Sequence, residues 1–408
     1  MINEKIMKII NAAYNNVPYY NHLFNKNNID SLSFDSYDDF TKIPISTKEN
    51  IKEYGLGNFL DCHFVDEDGN LKKSSHITIQ QTSGTTGEPL SIPWIIQEYQ
   101  ASVMNHWKIR YNIAKILPTD RMCSVWYTNN NTIPYCLFKN QFSINRKRLT
   151  YNTGLKYLKA SLDFNPEWIY MPASMLTFLI TIAQAENIPF YKGIKYIELA
   201  TEPVSPYYRN IIETYFNQKA YDMYGCQETN GIAHECKNGH MHLLTNNIFL
   251  EIIDSNHNVC SNNEWGNVCV TGLHNSLFPI IRYQLNDIAR INTDLSCKYS
   301  NNPILEIKSP RLPETLILDQ ELSPHGKLLY PLKRFNKDLQ ENDIIYKLQL
   351  EKDGTYIVSF INTDISLLDT LSSKFKLILY DYGIMNTNLK FSISDDCKKF
   401  YKVGVMRI

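Results

Sequence analysis

Residues 82–89 read Thr-Ser-Gly-Thr-Thr-Gly-Glu-Pro and interrupt two extended stretches. Residues 76–80 (HITIQ) alternate as a strand does, and residues 90–96 (LSIPWII) are apolar and extended, so the polar loop joins strand to strand. Two glycines let the backbone approach a ligand closely, while the hydroxyls and successive N–H groups form a nest for anions, which suits a triphosphate. A Walker A loop is ruled out: no lysine follows the last glycine, and the next segment is a strand carrying a proline instead of a helix. The plainer alternative for such a string is a hairpin turn rich in Gly, Ser and Thr.

The rest of the chain points to layered α/β structure. Ile6, Ile9, Ile10, Ala13 and Tyr14 recur at helical spacing until Val17-Pro18 ends the pattern. Ser46-Thr47-Lys48-Glu49 follows an extended Ile-Pro-Ile and has the hydroxyl and acid of a helix cap. Helices are expected near 99–113 and 172–185, alternating with strands near 121–126 and 194–199. Short strands dominate 240–292, at 248–253, 267–271 and 279–291, with a turn over 254–258. Pro310 and Pro313 interrupt regular structure and suggest a domain limit, with 1–312 as a large N-terminal domain and 313–408 as a small one. In the small domain, strands at 344–350 and 356–361 flank Lys352-Asp353-Gly354, a helix covers 364–380 and a strand follows at 389–393, giving a ββαβ module.

Composition narrows the function. The 408 residues include 41 Lys and Arg against 42 Asp and Glu, with no basic block able to neutralise a run of phosphates, which disfavours nucleic acid as a partner. The longest apolar run, 175–183, is about half of what spans a bilayer, and the N-terminus mixes charge through its apolar positions, so neither anchor nor signal peptide is expected. Nine scattered cysteines without a CxxC pair suit a reducing compartment, and the cytoplasm is the default expectation.

The loop at 82–89, Tyr224-Gly225-Cys226-Gln227-Glu228 and Ile281-Arg282-Tyr283-Gln284-Leu285-Asn286-Asp287 together resemble the adenylate-forming superfamily, most strongly its phenylacetate-CoA ligase and capsular-polysaccharide-protein-like branch. Residues 17–24, 43–49 and 200–203 resemble that branch too, and the motifs follow the family's order from about residue 17 to 311. The resemblance implies a large multi-subdomain adenylation domain with a small mobile C-terminal domain. It also implies activation of a small carboxylic acid by ATP and Mg²⁺ as an acyl-adenylate.

By the same resemblance, Thr82, Ser83, Gly84, Thr85, Thr86 and Gly87 grip the ATP phosphates, with Thr85 among the catalytic groups. Ala200, Thr201, Glu202 and Pro203 line the adenine pocket, and Tyr224 and Gly225 belong to the nucleotide site. Glu228 holds Mg²⁺ between the α-phosphate and the attacking carboxylate, and Asp287 accepts hydrogen bonds from the ribose. Carboxylate and triphosphate repel one another, so a divalent cation and several donors must neutralise charge before attack at the α-phosphorus. Lys399, in Cys397-Lys398-Lys399-Phe400, matches the lysine that bridges carboxylate and α-phosphate, with Lys398 and Lys402 as neighbours of similar character. Arg311 matches the hinge arginine, although Pro310 replaces the hinge glycine, and Asn286 replaces the glycine before the ribose-binding acid.

Four further expectations concern metal, substrate and acceptor. Cys236, His242 and Cys297 resemble a structural zinc site of some branch members; Tyr299 stands where a further cysteine is usual, leaving His240 or Cys260 as the fourth ligand. Trp107, Tyr111, Trp126 and Tyr127 fall where the family builds its acyl pocket and would suit an aryl or flat apolar acid, though core packing explains them equally. The acceptor implied is a thiol of CoA or of an acyl or peptidyl carrier protein. Transfer to an amine or a protein side chain is the rival enzymatic reading, and a nucleotide-binding member without catalysis is the rival of another class.

Overall fold

A computed structural model describes residues 4–29, 36–81, 90–126, 134–145, 149, 151–189, 193–202, 204, 206–308, 345–350, 355–361, 364–381 and 389–394. In chain order its helices are α1 (Glu4–Asn16), α2 (Pro18–Lys26), α3 (Tyr37–Thr41), α4 (Lys48–Tyr54), α5 (Ile96–Ala114), α6 (Tyr151–Phe164), α7 (Ala173–Ala185), α8 (Pro206–Phe216) and α9 (Leu368–Asp381). The strands are β1 (Ile77–Gln81), β2 (Ser91–Ile95), β3 (Met122–Trp126), β4 (Tyr135–Phe138), β5 (Gln141–Asn145), β6 (Trp168–Met171), β7 (Tyr196–Ala200), β8 (Ala220–Tyr224) and β9 (Ala233–Glu235). They continue with β10 (Met241–Leu243), β11 (Ile248–Ile253), β12 (Gly266–Gly272), β13 (Tyr283–Asn292), β14 (Ile304–Lys308), β15 (Ile345–Leu350), β16 (Tyr356–Ile361) and β17 (Leu389–Ser394).

By contact the chain forms two compact units, one of Met1–Pro118 with Tyr221–Ser309 and the other of Thr119–Ala220 with Pro310–Ile408. The expected domain limit at residue 312 lies outside the described residues.

The first unit is built on antiparallel strands in the order β11-β12-β13-β14-β10-β9-β8. Alternating apolar residues put one face of each strand into a core shared with the N-terminal helices, where Ile6, Ile9, Ile10 and Ala13 of α1 and Tyr20 and Phe24 of α2 are buried. Pro18 starts α2 because a missing N–H costs nothing in the first turn. Thr47 caps α4 as expected, but its partner in the reciprocal cap is Asn50, three residues on, and not the adjacent Glu49. The strands β1 and β2 pair antiparallel, Gln81 facing Ser91, so residues 82–89 do connect two paired strands.

The second unit carries strands in the order β7-β6-β3-β5-β4, parallel except for β4. The strands β6 (WIYM) and β7 (YIELA) are almost wholly buried, as parallel strands covered on both faces must be, and Leu176, Leu179 and Ile180 of α7 lie in the same core as Ile169 and Ile197. The C-terminal residues give the expected ββαβ module: β15 pairs antiparallel with β16, and β16 pairs parallel with β17 across the α9 crossover. Mixed α/β architecture is thus present throughout. No described helix is long and apolar enough to cross a membrane.

Candidate active site

Two motifs of the first unit meet through one hydrogen bond. The Tyr224 hydroxyl, at the end of β8, donates to Asp287 Oδ2 of β13 at 2.9 Å across 63 positions of sequence. Asp287 is 9% exposed, so its carboxylate is largely withdrawn from solvent. It projects from an irregular stretch. Cys269 of β12 faces Gln284 and Asn267 faces Ile288, so two steps along one strand answer four along the other, and residues 285–287 stand opposite Val268 alone. Such bulges re-aim side chains away from the regular ladder.

Glu228 sits on the turn between β8 and β9 and is 7% exposed. The turn closes tightly because Asn230 N–H donates to the Cys226 carbonyl at 2.9 Å and Ile232 N–H to the Tyr224 carbonyl at 2.9 Å. Two glycines permit this. A Cβ on Gly225 would stand 2.8 Å from Gly231 Cα, and Gly231 has φ +129°, a conformation L side chains rarely adopt. Burial, and after it the charge of Glu228, pushes both the Tyr283 hydroxyl and the Cys226 thiol well above their ordinary values. Glu228 thus acts electrostatically on Tyr283, the first residue of the strand that carries Asp287.

In the second unit β7 runs out at Ala200, and ligands of open α/β sheets bind at the carboxyl ends of parallel strands. Thr201, immediately beyond, is exposed with φ +72°, a marked outlier for a β-branched residue. Glu202 is half-buried. Strain of this kind persists where the surroundings over-determine the backbone, and it clusters at functional sites. Thr82, Ser83, Gly84, Thr85, Thr86, Gly87, Pro203, Arg311, Lys399 and Tyr127 lie outside the described residues. Of the aromatic residues expected near an acyl pocket, Trp107 packs under the Arg110 guanidinium at 4.7 Å, and Tyr111 is exposed with the Lys115 ammonium at 4.5 Å from its ring.

Cys236, His240, His242 and Cys297 come together, with their candidate ligand atoms all within 4.8 Å of one another. His240, and not Cys260, is thus the fourth member. A knuckle forms the first half: Gly239 N–H donates to the Cys236 carbonyl and Cys236 N–H to the His240 carbonyl, both at 2.9 Å. His242 Nδ1 lies 2.9 Å from the Asn302 carbonyl, which fixes the proton there and leaves the Nε2 lone pair free. His242 Nε2 and His240 Nδ1 are buried without a regular hydrogen bond. The two sulfurs are 3.6 Å apart. Burial raises the Cys236 thiol; at Cys297 burial is outweighed by the Tyr299 backbone N–H and the neighbouring His and Cys side chains, which bring it down to about 6.

Sequence reading missed three parts of this arrangement. Arg282 is a buried junction, Gly231 shapes the Glu228 turn, and the Tyr224 hydroxyl is what holds Asp287. Tyr224 and Arg282 stand inside the motifs quoted from the sequence, which do not disclose these contacts, and Gly231 lies outside them.

No protein-family model matches the chain. Among curated proteins it is similar to the phenylacetate-coenzyme A ligase of Aromatoleum evansii, 22% identical over 298 residues that make up 71% of this chain and 65% of that enzyme. It is likewise similar to that of Thermus thermophilus, 19% identical over 89% of this chain and 80% of the relative, and to that of Escherichia coli, 21% identical over 80% and 77%. The chain thus spans about two thirds of the Aromatoleum enzyme's length. Its fold is that of 2-hydroxyisobutyryl-CoA ligase in complex with 2-HIB-AMP and CoA, with TM-score 0.65 at 15% identity over 98% of this chain and 87% of that one. An acyl acid amido synthetase shares the fold more distantly, with TM-score 0.51 at 11% identity over 96% and 86%.

Proposed function

We propose that this chain, which has the fold of the adenylate-forming ligases and sequence similarity to phenylacetate-CoA ligases, activates a small carboxylic acid with ATP and passes the acyl group to the thiol of CoA. The observation that carries the reading is the Tyr224–Asp287 hydrogen bond, because it joins two motifs of the resemblance in one buried place. Asp287, held at Oδ2 by Tyr224, would accept hydrogen bonds from the ribose hydroxyls. Ala200 to Pro203, at the end of a parallel strand, receive the adenine. Thr82 to Gly87 hold the phosphates with backbone and hydroxyl donors, and Lys399 neutralises the charge that develops between carboxylate and α-phosphate.

Glu228 would hold Mg²⁺, an oxygen-seeking cation that would supply charge neutralisation at the α-phosphate. Its buried carboxylate, in a turn fixed by two glycines, suits that task. In the first step a carboxylate oxygen of the acid attacks the α-phosphorus, the bond to the pyrophosphate oxygen breaks, and acyl-AMP and pyrophosphate result. In the second the thiol sulfur attacks the acyl carbonyl, AMP departs with the bonding pair, and the thiol proton passes to solvent. By the resemblance, the domain from 313 onward would supply Lys399 and Arg311 would belong to its hinge, where a proline at 310 in place of the family's glycine would restrict φ. A carrier-protein thiol or an amine is the alternative acceptor. An aryl or similar apolar acid is the favoured substrate.

The four-residue cluster is a structural zinc site in this reading. Two thiolates and two imidazoles would make a donor set of the kind zinc takes, and the His242 Nδ1–H at the Asn302 carbonyl would leave Nε2 to the metal.

The test is acid-dependent exchange of labelled pyrophosphate into ATP with Mg²⁺, over aryl, fatty and amino acids. One class should support exchange, and Glu228→Gln should lower it by about 10²-fold or more, as loss of a transition-state charge contact does. ATP binding with no exchange from any acid would favour the noncatalytic reading.

A further inference from the structure

The long side chain of Arg282 is 3% exposed, and its backbone is left-handed with φ +45°. That conformation is uncommon outside glycine and is kept only where contacts on every side enforce it. Here they do. The Arg282 N–H donates to Thr271 Oγ1 at 2.9 Å, and its carbonyl accepts from Ser46 N–H at 2.9 Å. Nε donates to Glu251 Oε2 at 3.1 Å, while a terminal nitrogen donates to the carbonyls of Thr41 and Ile43. Glu251 is fixed in turn by the Tyr37 hydroxyl at 3.1 Å.

This junction stands immediately before β13. From Tyr283 and Gln284 the ladder to β12 is regular; it then loses register through the excess stretch that ends at Asp287. A stretch without a regular ladder has its position set by its two anchors. On the C-terminal side the anchor is the resumed pairing at Ile288; on the N-terminal side it is the short paired run Tyr283–Gln284, whose start is fixed by the turn that Arg282 makes. We propose that Arg282, clamped by Glu251 and the Thr41 and Ile43 carbonyls, is a positioning residue that sets the Asp287 carboxylate for the nucleotide ribose. The proposal rests on the reading of Asp287 as the ribose acceptor. The guanidinium touches no substrate; it acts through the strand entry.

Isothermal titration of ATP·Mg²⁺ and of 2′,3′-dideoxy-ATP·Mg²⁺ tests it without knowledge of the acid. The wild-type chain should bind ATP about 10- to 100-fold more tightly than the dideoxy nucleotide, as hydrogen bonds to a charged acceptor do. Asp287→Asn should bring the ratio close to one. Arg282→Lys, which keeps the charge but loses the planar fork, should reduce the ratio at least threefold while dideoxy binding is little changed. Glu251→Gln should move the ratio in the same direction, and it serves if the Arg282 variant does not fold. A purely structural role would lower the binding-competent fraction for both nucleotides and leave the ratio intact. If Asp287→Asn abolishes the preference and both clamp variants retain it, the positioning role is refuted and the ribose reading stands. If Asp287→Asn leaves the preference unchanged, the ribose reading fails and the proposal falls with it.

Discussion

Replacing Gly231 with Ala should destabilise the first unit by about 2–4 kcal/mol, from two separate costs. At φ +129° an L side chain is strained whatever space it has, at about 1–3 kcal/mol. Space is also lacking: the added Cβ would stand 2.3 Å from His106 Nε2, 2.5 Å from His106 Cε1 and 3.1 Å from Leu244 Cδ1. His106 is buried, and its Nε2 lies 2.6 Å from the Asn230 carbonyl, so moving the ring breaks a buried hydrogen bond worth about 1 kcal/mol or more. The turn that carries Glu228 would shift as well, because Gly225 packs directly on Gly231. Urea unfolding followed by circular dichroism gives the stability change, and pyrophosphate exchange gives the effect on chemistry. The double variant His106→Ala, Gly231→Ala should cost less than the two single changes added, since removing the ring removes the clash. A single-variant cost below about 1 kcal/mol, or strict additivity in the double variant, would refute the argument from φ and close packing.

Tyr224→Phe removes a hydrogen bond to a largely buried carboxylate, so stability should fall by about 1.5–2 kcal/mol in urea unfolding; a cost below about 0.3 kcal/mol would mean the bond carries nothing. Thr201→Gly should raise stability by about 1 kcal/mol by relieving a left-handed β-branched residue, provided the exposed side chain makes no compensating contact, and a loss on thermal unfolding would show that the threonine is held for its side chain. Treatment with a strong chelator should release about one zinc per chain, make Cys236 and Cys297 reactive to a thiol reagent, and lower the melting temperature; equal thiol reactivity before and after, with no zinc released, would leave the cluster as a metal-free pocket. Glu167 accepts from Lys195 Nζ at 2.7 Å and from Arg121 N–H at 3.1 Å, contacts that hold its carboxyl below its ordinary value. That contribution is present above the unfolded pKa and fades as pH falls through the lowered folded one, so Glu167→Gln should cost up to about 1 kcal/mol at neutral pH and progressively less in acid.

What the sequence disclosed follows the physics of each element. The helix α1 has a clean apolar period, so Ile6, Ile9, Ile10 and Ala13 were readable as its buried stripe. The ββαβ module was readable because a Lys-Asp-Gly turn separates two alternating runs, and its strand β17 fell within a residue of expectation. The strands β4, β5 and β6 and the helices α6 and α8 were not placed by sequence reading. Strands such as β6, four residues long and buried on both sides, carry no alternation to read. The strand β13 begins at Tyr283 and not at residue 279, because left-handed Arg282 separates the preceding residues from the ladder. At the metal cluster, sequence spacing left His240 and Cys260 open as the fourth ligand. The knuckle at Gly239 decides between them by turning His240 back onto Cys236.

The N-terminal motifs carry no chemistry of their own, yet they gather at the entry to β13. The Tyr20 hydroxyl accepts from Ile281 N–H at 2.9 Å, Ser46 Oγ donates to the Ile281 carbonyl at 2.9 Å, and Gln284 N–H donates to the Ser46 carbonyl at 2.9 Å. With Thr41 and Ile43 on the Arg282 guanidinium, residues from two helices and an extended segment more than 230 positions away in sequence hold Ile281, Arg282 and Gln284 at one strand entry. Burial makes these contacts consequential, since an unpaired backbone group in this place would cost about as much as a lost hydrogen bond. Tyr20 shows the demand most directly: it is fully buried, and its hydroxyl is spent on a backbone N–H instead of on solvent. Segments 17–24 and 43–49 therefore resemble the family for a positional reason, because the strand that presents Asp287 is anchored by them.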